Sequence, residues 1–137
     1  MSGRIKIALG VAVALLVALA AGFVWGATGR RAAEHALEDA RQQLDLAEAR
    51  GRILDARVSL YNVNFGDAQR QLADAKAPLN RARARYEADG ADAAAQAMAA
   101  AIAHTEEAQR LASRLDPAAN GEAGQALTSI QTATTSK

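Results

Sequence analysis

The amino-acid sequence predicts an all-α protein, in which an N-terminal single transmembrane helix is followed by a long amphipathic helix and a small antiparallel helical bundle or hairpin array. Three observations support this prediction. Residues 7–27 are uncharged and mostly apolar. From Ala33 onward, apolar residues recur in steps of three and four, the spacing of a helix that packs along one face. The rest of the chain is rich in alanine and poor in aromatic residues, which is typical of thin helical packing.

The run at residues 7–27 has the length and composition of a membrane span, within an anchor region at residues 1–29. As a helix it rises about 31 Å, close to the thickness of the hydrocarbon core of a bilayer. Its large apolar side chains favour insertion by about 3–6 kcal/mol in total. Basic residues flank the run on both sides, and Trp25 lies near one end, where an aromatic with a polar tip meets the lipid headgroups.

The same run permits a second interpretation, a cleaved secretory signal. Arg4 and Lys6 form a charged leader, and Ala18-Leu19-Ala20 fits the small-x-small cleavage pattern. The apolar run continues past that pattern, which favours a retained signal-anchor. If cleavage occurs, the chain is an exported soluble helical protein.

Small residues recur at four-residue spacing along the run, at Gly10, Ala14, Ala18, Gly22 and Gly26. The last two form a G-x-x-x-G motif, which allows transmembrane helices to approach closely. Because alanine is abundant in this chain, such a ladder also arises by chance. Helix packing through these five positions is therefore a hypothesis.

Residues 30–62 are predicted as one long amphipathic stalk helix of about 50 Å. Its apolar positions follow a coiled-coil heptad pattern: Ala33, Leu37, Ala40, Leu44, Ala47, Gly51, Leu54, Val58 and Tyr61. The large side chains concentrate at the distal end. We expect this face to be the packing seam of a stalk that is also one wall of a bundle.

Residues 63–131 are predicted as a helical hairpin or bundle, and residues 132–137 as a disordered tail. A second helix is expected over about 66–88, with Pro78 kinking or splitting it. A third is expected over about 91–115, and a short fourth from Asp116-Pro117 to about residue 130. The third helix carries an apolar stripe: Ala94, Met98, Ala101, Thr105, Ala108, Ala112 and Leu115, flanked by Ile102 and Leu111. The residues expected to pack helix on helix, or against a partner, are Leu54, Val58, Tyr61, Phe65, Leu72 and Leu79.

Residues 61–75 resemble the middle of a tetratricopeptide repeat. Tyr61 stands near the end of one helix, Asn64-Phe65-Gly66-Asp67-Ala68 matches the turn and the start of the next, and Leu72 and Ala75 follow. The resemblance implies a helical hairpin, with a peptide- or subunit-binding adaptor as the corresponding function. The preceding helix lacks the family's Trp/Leu-Gly pair, Pro78 comes before the family's closing proline, and about three repeats are usually needed.

No pattern indicates an enzyme or a cofactor. The chain has no G-x-S-x-G, no phosphate loop, no H-E-x-x-H and no cysteine. His104 and Glu107 share a helix face, but no further pair completes a metal site. The basic cluster Arg81, Arg83 and Arg85 lacks the interleaved aromatics of a nucleic-acid surface.

We therefore expect a membrane-anchored helical scaffold that acts through protein–protein contacts, with a protein partner or a second copy, and without nucleic acid or a small-molecule substrate. Beyond the anchor the chain has 15 acidic and 14 basic residues, so the net charge of this part is near zero. Frequent alanine and arginine with little lysine suggest a bacterial source. A short charged leader usually stays inside, which predicts the inner membrane with the C-terminal domain in the periplasm.

Overall fold

The computed structural model describes the backbone of residues 3–136 and the side chains of residues 14–19 and 32–136. Over that backbone it contains four α-helices and no β-strand, so the predicted all-α class and the helical bundle are confirmed. The helices are α1 (Gly3–Tyr61), α2 (Phe65–Ala88), α3 (Asp92–Ser113) and α4 (Ala119–Thr135). The chain divides into two compact units, residues 1–40 and residues 41–137.

The N-terminal unit is helical from Gly3 onward. Its described side chains, at residues 14–19 and 32–40, are exposed, and these include Ala14 and Ala18 of the small-residue ladder. The other three ladder positions, and most of the predicted transmembrane run 7–27, lie outside the residues whose surroundings are described. Within the part of the chain that the structure describes, no helix combines the length and apolarity needed to cross a membrane.

The second unit is a closed four-helix bundle with up-down-up-down connectivity. Short connections make each helix antiparallel to the next, and α3 packs against both α2 and α4. The α1 segment of this unit contacts both of its neighbours. Ser59 donates a hydrogen bond to Gln71 of α2 at 2.9 Å, and Arg57 donates one to Asn120 of α4 at 2.8 Å. These contacts close the ring of helices.

The core of the bundle is built mainly from alanine. Among the described residues, 14 of the 22 buried apolar side chains are alanines. The stripe predicted on α3 is buried from Ala94 to Ala112, whereas Leu115 at its end is exposed. Thr105 is fully buried within this stripe and donates its hydroxyl to the carbonyl of Ala101 at 2.7 Å. Because an alanine side chain is a single methyl group, a core of this composition allows the helices to approach closely.

The ends of α2 and α4 differ in part from the sequence-based expectation. Of the two residues in the turn that could cap α2, Asn64 and Asp67, it is Asn64 that accepts a hydrogen bond, from the Asp67 N–H at 3.2 Å. Pro78 does not split α2, which runs on to Ala88 with Pro78 buried. The segment predicted as a tail, 132–137, is helical to Thr135, because Ala133 extends the apolar spacing of α4 into the core.

The three connections of the bundle share one type of helix end, in which a residue with positive φ follows the helix. These residues are Val63 (φ 59), Gly90 (φ 69) and Leu115 (φ 58). At the third, Leu115 donates its N–H to the carbonyl of Ala112 at 3.0 Å. The following N–H, of Asp116, donates to the carbonyl of Leu111 at 3.0 Å. This is the Schellman motif, in which glycine is the usual residue.

Two of these positions carry large side chains in a left-handed backbone. Such a backbone costs a non-glycine residue about 1–2 kcal/mol. The Val63 and Leu115 side chains are nevertheless exposed, at 72% and 66%, so core burial does not repay this cost. Because the helices alternate in direction, both connections lie at the same end of the bundle, together with the C-terminal end of α1.

We predict that Val63→Gly and Leu115→Gly each stabilise the bundle. Glycine adopts this backbone without a clash, and its greater freedom in the unfolded chain removes part of the gain, leaving about 0.5–1 kcal/mol. For a domain of this size the midpoint of thermal unfolding should rise by about 2–8 °C, measured by circular dichroism. Gly90→Ala is the matched control and should lower the midpoint. A lower midpoint for both glycine variants would contradict the prediction.

Candidate interaction surface

The face that α1 turns toward the core is not the face predicted from the heptad pattern that ends at Leu54, Val58 and Tyr61. Its buried apolar side chains are Leu46, Ala49, Ile53, Ala56 and Leu60, which also recur in steps of three and four. Gln42 and Asp45 are buried on the same side. The part of α1 in the second unit thus contains two heptad patterns, and the one that includes Leu46, Ile53 and Leu60 lies in the core.

The second heptad pattern of the bundle segment lies on the surface, and we call it the exposed seam: Leu44, Ala47, Gly51, Leu54, Val58 and Tyr61. The four large side chains are between 50% (Leu54) and 83% (Tyr61) exposed. At 100° per residue, the centre of the exposed seam lies about 160° from the centre of the buried pattern. In the N-terminal unit, Leu37 is also exposed.

The six residues predicted to pack therefore fall into two groups. Leu72 and Leu79 are fully buried, and Phe65 is half-buried against the core cluster. Leu54, Val58 and Tyr61 lie outside the core of the bundle, which corrects the expectation that they form its wall. The physical reason is rotation: the orientation that buries Ile53 also brings Asp45 to Arg81 and Arg85 of α2, and the opposite orientation would break these contacts.

Two shallow grooves lie along the exposed seam, and the lining of each includes residues of α4. The first has a volume of about 360 Å³ and is lined by Leu54, Asp55, Arg57, Val58, Tyr61 and Asn120. The second has a volume of about 480 Å³ and is lined by Arg50, Leu54, Leu127, Gln131, Thr134 and Thr135. Leu54 borders both grooves. An incoming side chain beside Leu54 would therefore meet an apolar floor with polar edges.

Charged residues border the exposed seam with opposite signs on its two sides. On the side of α4, Arg57 donates to Asn120, and Arg50 donates to the hydroxyl of Thr134 at 3.4 Å. On the side of α2, Glu48 accepts a hydrogen bond from Arg81 at 3.2 Å. Asp55 is exposed two turns further along the same side as Glu48. The seam thus has a basic edge and an acidic edge.

A buried carboxylate ties α1 to α2 beneath this acidic edge. The Asp45 side chain is 8% exposed and accepts hydrogen bonds from Arg81, at 2.9 Å, and from Arg85. Burial acts to raise the pKa of Asp45, but the hydrogen bonds from Arg85 and Arg81, with their charges, outweigh it and hold this pKa below its usual value. The spacing of Arg81 and Arg85 predicts that they share a helix face. Their partner Asp45 was missed, because no local pattern marks a single acid in a long helix.

The other residues that the sequence marks as possible site residues make ordinary contacts within or between helices. His104 Nδ1 lies 2.7 Å from Glu122 Oε2 and links α3 to α4, while Glu107 pairs with Arg110 one turn away. Arg83, the third member of the basic cluster, pairs with Glu87 at 2.8 Å. Among the side chains that the structure describes, no three His, Cys, Asp or Glu residues are grouped to hold a metal ion.

Comparisons with protein-family models, with curated proteins and with solved structures give no match for this chain. The exposed seam is therefore interpreted from its own geometry. It is a row of large apolar side chains at heptad spacing, on the side of α1 opposite the core, with edges of opposite charge.

Substitution of the adjacent residues Ile53 and Leu54 tests which face of α1 is buried. Ile53→Ala should lower the free energy of unfolding by about 2–4 kcal/mol, because it leaves a cavity in the core. Leu54→Ala should change it by less than about 0.5 kcal/mol, because the side chain is half exposed and its loss leaves no enclosed cavity. Chemical denaturation of both variants measures the difference. Equal losses would show that the seam is packed within the monomer.

Removal of the Asp45 charge should destabilise the bundle in a pH-dependent way. In Asp45→Asn both arginines lose the Asp45 carboxylate, while Arg81 keeps its contact with Glu48. We expect a loss of about 1–2 kcal/mol at neutral pH, limited because Arg81 is half exposed. Since the folded pKa of Asp45 is depressed, its contribution is complete above about pH 4 and is lost as the pH falls through the folded pKa. The two proteins should therefore converge in strong acid.

Denaturation series from neutral pH to about pH 2 measure this convergence. Glu48→Gln is the matched control. The Glu48 carboxylate is exposed and contacts Arg81 but not Arg85. Its removal should therefore change the free energy of unfolding by less than about 0.5 kcal/mol. A difference between wild type and Asp45→Asn that is constant over the whole pH range would contradict the assigned role.

Proposed function

We propose that this chain is a single-pass, membrane-anchored helical scaffold whose bundle holds another protein helix against the exposed seam. The observation that carries the proposal is the exposure of Leu44, Leu54, Val58 and Tyr61 along one face of α1. Isolated apolar residues are common on protein surfaces, whereas a continuous apolar row usually marks a site of interaction. The bundle has its own core on the opposite side of α1, so the monomer does not need this row for folding.

Removal of the apolar side chains of the exposed seam from water favours the binding of a second helix. Each large side chain removed from water contributes about 25 cal/mol per Å² of apolar surface. A second helix laid along Leu44 to Tyr61 would cover about five turns, and the grooves beside Leu54 offer space for its side chains. The small residues Ala47 and Gly51 at the centre allow a close approach.

Residues 7–27 supply the membrane anchor in this proposal. Their length, apolarity and flanking basic residues support retention in the bacterial inner membrane, with the bundle on the periplasmic side. The geometry disfavours a tetratricopeptide-like adaptor, which binds its partner in a groove between helices. In the described bundle α1 and α4 close the ring of helices, and the exposed face of α1 is a convex ridge. The exported soluble form remains the alternative outcome of the experiment below.

A single experiment tests both parts of the proposal. A photoreactive phenylalanine analogue replaces Leu54 in the full-length chain, cells are irradiated, and the tagged protein is recovered from washed membranes for intact-mass measurement. We expect an uncleaved chain and one discrete cross-linked species. The analogue at Arg52, which is exposed but lies about 130° from the seam, is the control and should give at least tenfold less product.

Each part of the proposal has its own contrary result. A mass that begins near Ala21, in protein released by osmotic shock, would contradict the anchor and support the exported form. Equal and diffuse cross-linking from positions 54 and 52 would contradict a specific contact at the seam.

A further inference from the structure

We infer that the helix bound on the exposed seam is α1 of a second copy of this chain, aligned parallel and in register. This inference rests on the proposed function, because it names the partner that the scaffold holds. Three observations support it: the heptad spacing of the seam, the charges on its two edges, and the glycine at its centre.

The seam has the spacing of a two-stranded coiled coil. With Leu44, Gly51 and Val58 at a positions, the d positions are Ala47, Leu54 and Tyr61, and all six are exposed. The strict seven-residue repeat matters, because it keeps the apolar row facing a partner helix over several turns. A helix that bound only at one groove would not require a repeat of this length.

The charges beside the seam favour a parallel second copy. Arg50 and Arg57 occupy g positions, and Glu48 and Asp55 occupy e positions. In a parallel pair, each g position lies near the e position five residues further along the other helix. Arg50 of one copy then faces Asp55 of the other, and the two-fold symmetry repeats this attraction on both sides. Gln43 similarly faces Glu48 of the second copy.

An antiparallel pair would reverse this pattern. In an antiparallel pair, the a positions of one helix lie opposite the d positions of the other. This alignment places Arg50 of one copy against Arg57 of the other, and Glu48 against Asp55. Each of these like-charge contacts would occur twice. Charge pairs at e and g positions set the orientation of helices more than their affinity. The edges of the seam therefore select the parallel arrangement.

Gly51 has no explanation within one copy of the bundle. A Cβ added there would meet no atom within 4 Å, and its φ is not positive. Glycine is less favourable than alanine inside a helix, so the position carries a cost without a gain in the monomer. A close approach of a second backbone at the centre of the seam uses the missing side chain.

A parallel pair also agrees with an N-terminal anchor. Two chains that pair in parallel enter the bundle from the same end, so both can be tethered in one membrane. The centre of the seam is small, at Ala47 and Gly51, and such a seam binds weakly in dilute solution. Tethering raises the effective concentration of the second copy to the millimolar range, which favours the pair in the membrane.

Single cysteines test the arrangement directly, since the chain has none of its own. Ala47→Cys and Val58→Cys are expressed separately as full-length protein, and cells are treated with a mild oxidant. In a parallel pair each variant faces itself, so most of the chain should move to twice its mass of 14.3 kDa on a non-reducing gel. Arg52→Cys, away from the seam, should give at least fivefold less dimer.

The antiparallel arrangement gives the opposite result. There residue 47 faces residue 58, so neither variant cross-links alone, and only coexpression of the two, distinguished by tags, gives a mixed dimer. That outcome would overturn the parallel arrangement. If no cysteine in the seam gives dimer while the photoreactive residue at position 54 is joined to a different protein, the second copy is excluded and the scaffold proposal stands. If both experiments fail, the seam is not a contact surface.

A charge exchange separates pairing across the seam from a general effect on folding. In the Ala47→Cys background, Arg50→Glu places like charges opposite Asp55 of the second copy, and Asp55→Arg does the same opposite Arg50. Each should reduce the cross-linked fraction several-fold. The double variant restores opposite charges and should restore cross-linking. If both single variants lose cross-linking and the double variant does not recover it, the assigned pairing of Arg50 with Asp55 is contradicted.

Discussion

Close packing on alanine is the constraint on which this bundle depends. With a methyl group at most buried positions, the apolar area removed from water per residue is small, and stability requires the helices to approach closely along their whole length. The few large buried residues, among them Ile53, Leu72, Leu79 and Met98, must fit between small neighbours. Overpacking such a core forces strained rotamers or backbone shifts.

Polar contacts determine which of its two heptad patterns α1 buries. In the bundle, the two patterns are similar in size, since each has two small residues beside larger ones. Rotation of α1 would separate Asp45 from Arg81 and Arg85 of α2, and Arg57 from Asn120 of α4. The exposed seam thus follows from the contacts that fix the rotation of α1.

The sequence is sufficient to predict the helical class, the turn between α1 and α2 and the buried stripe of α3, since each depends on local spacing. It is not sufficient to predict the facing of α1, because the choice between two patterns depends on helices far along the chain. Hydrophobicity favours the pattern with Leu54 and Tyr61, and the contacts of Asp45 with α2 and of Arg57 with α4 reverse that preference. These contacts join helices that are distant in sequence, so no local pattern predicts them.

The short connections of the bundle have a consequence for the time course of folding. Helices that are neighbours in sequence pack against each other, as α3 does with α2 and α4, whereas the contacts between α1 and α4 span the unit. Chains with such local contacts typically fold within microseconds to milliseconds. Because α4 is the last of the four bundle helices in chain order, the ring closes only when α4 has formed, and until then the α4 side of α1 stays open to other helices.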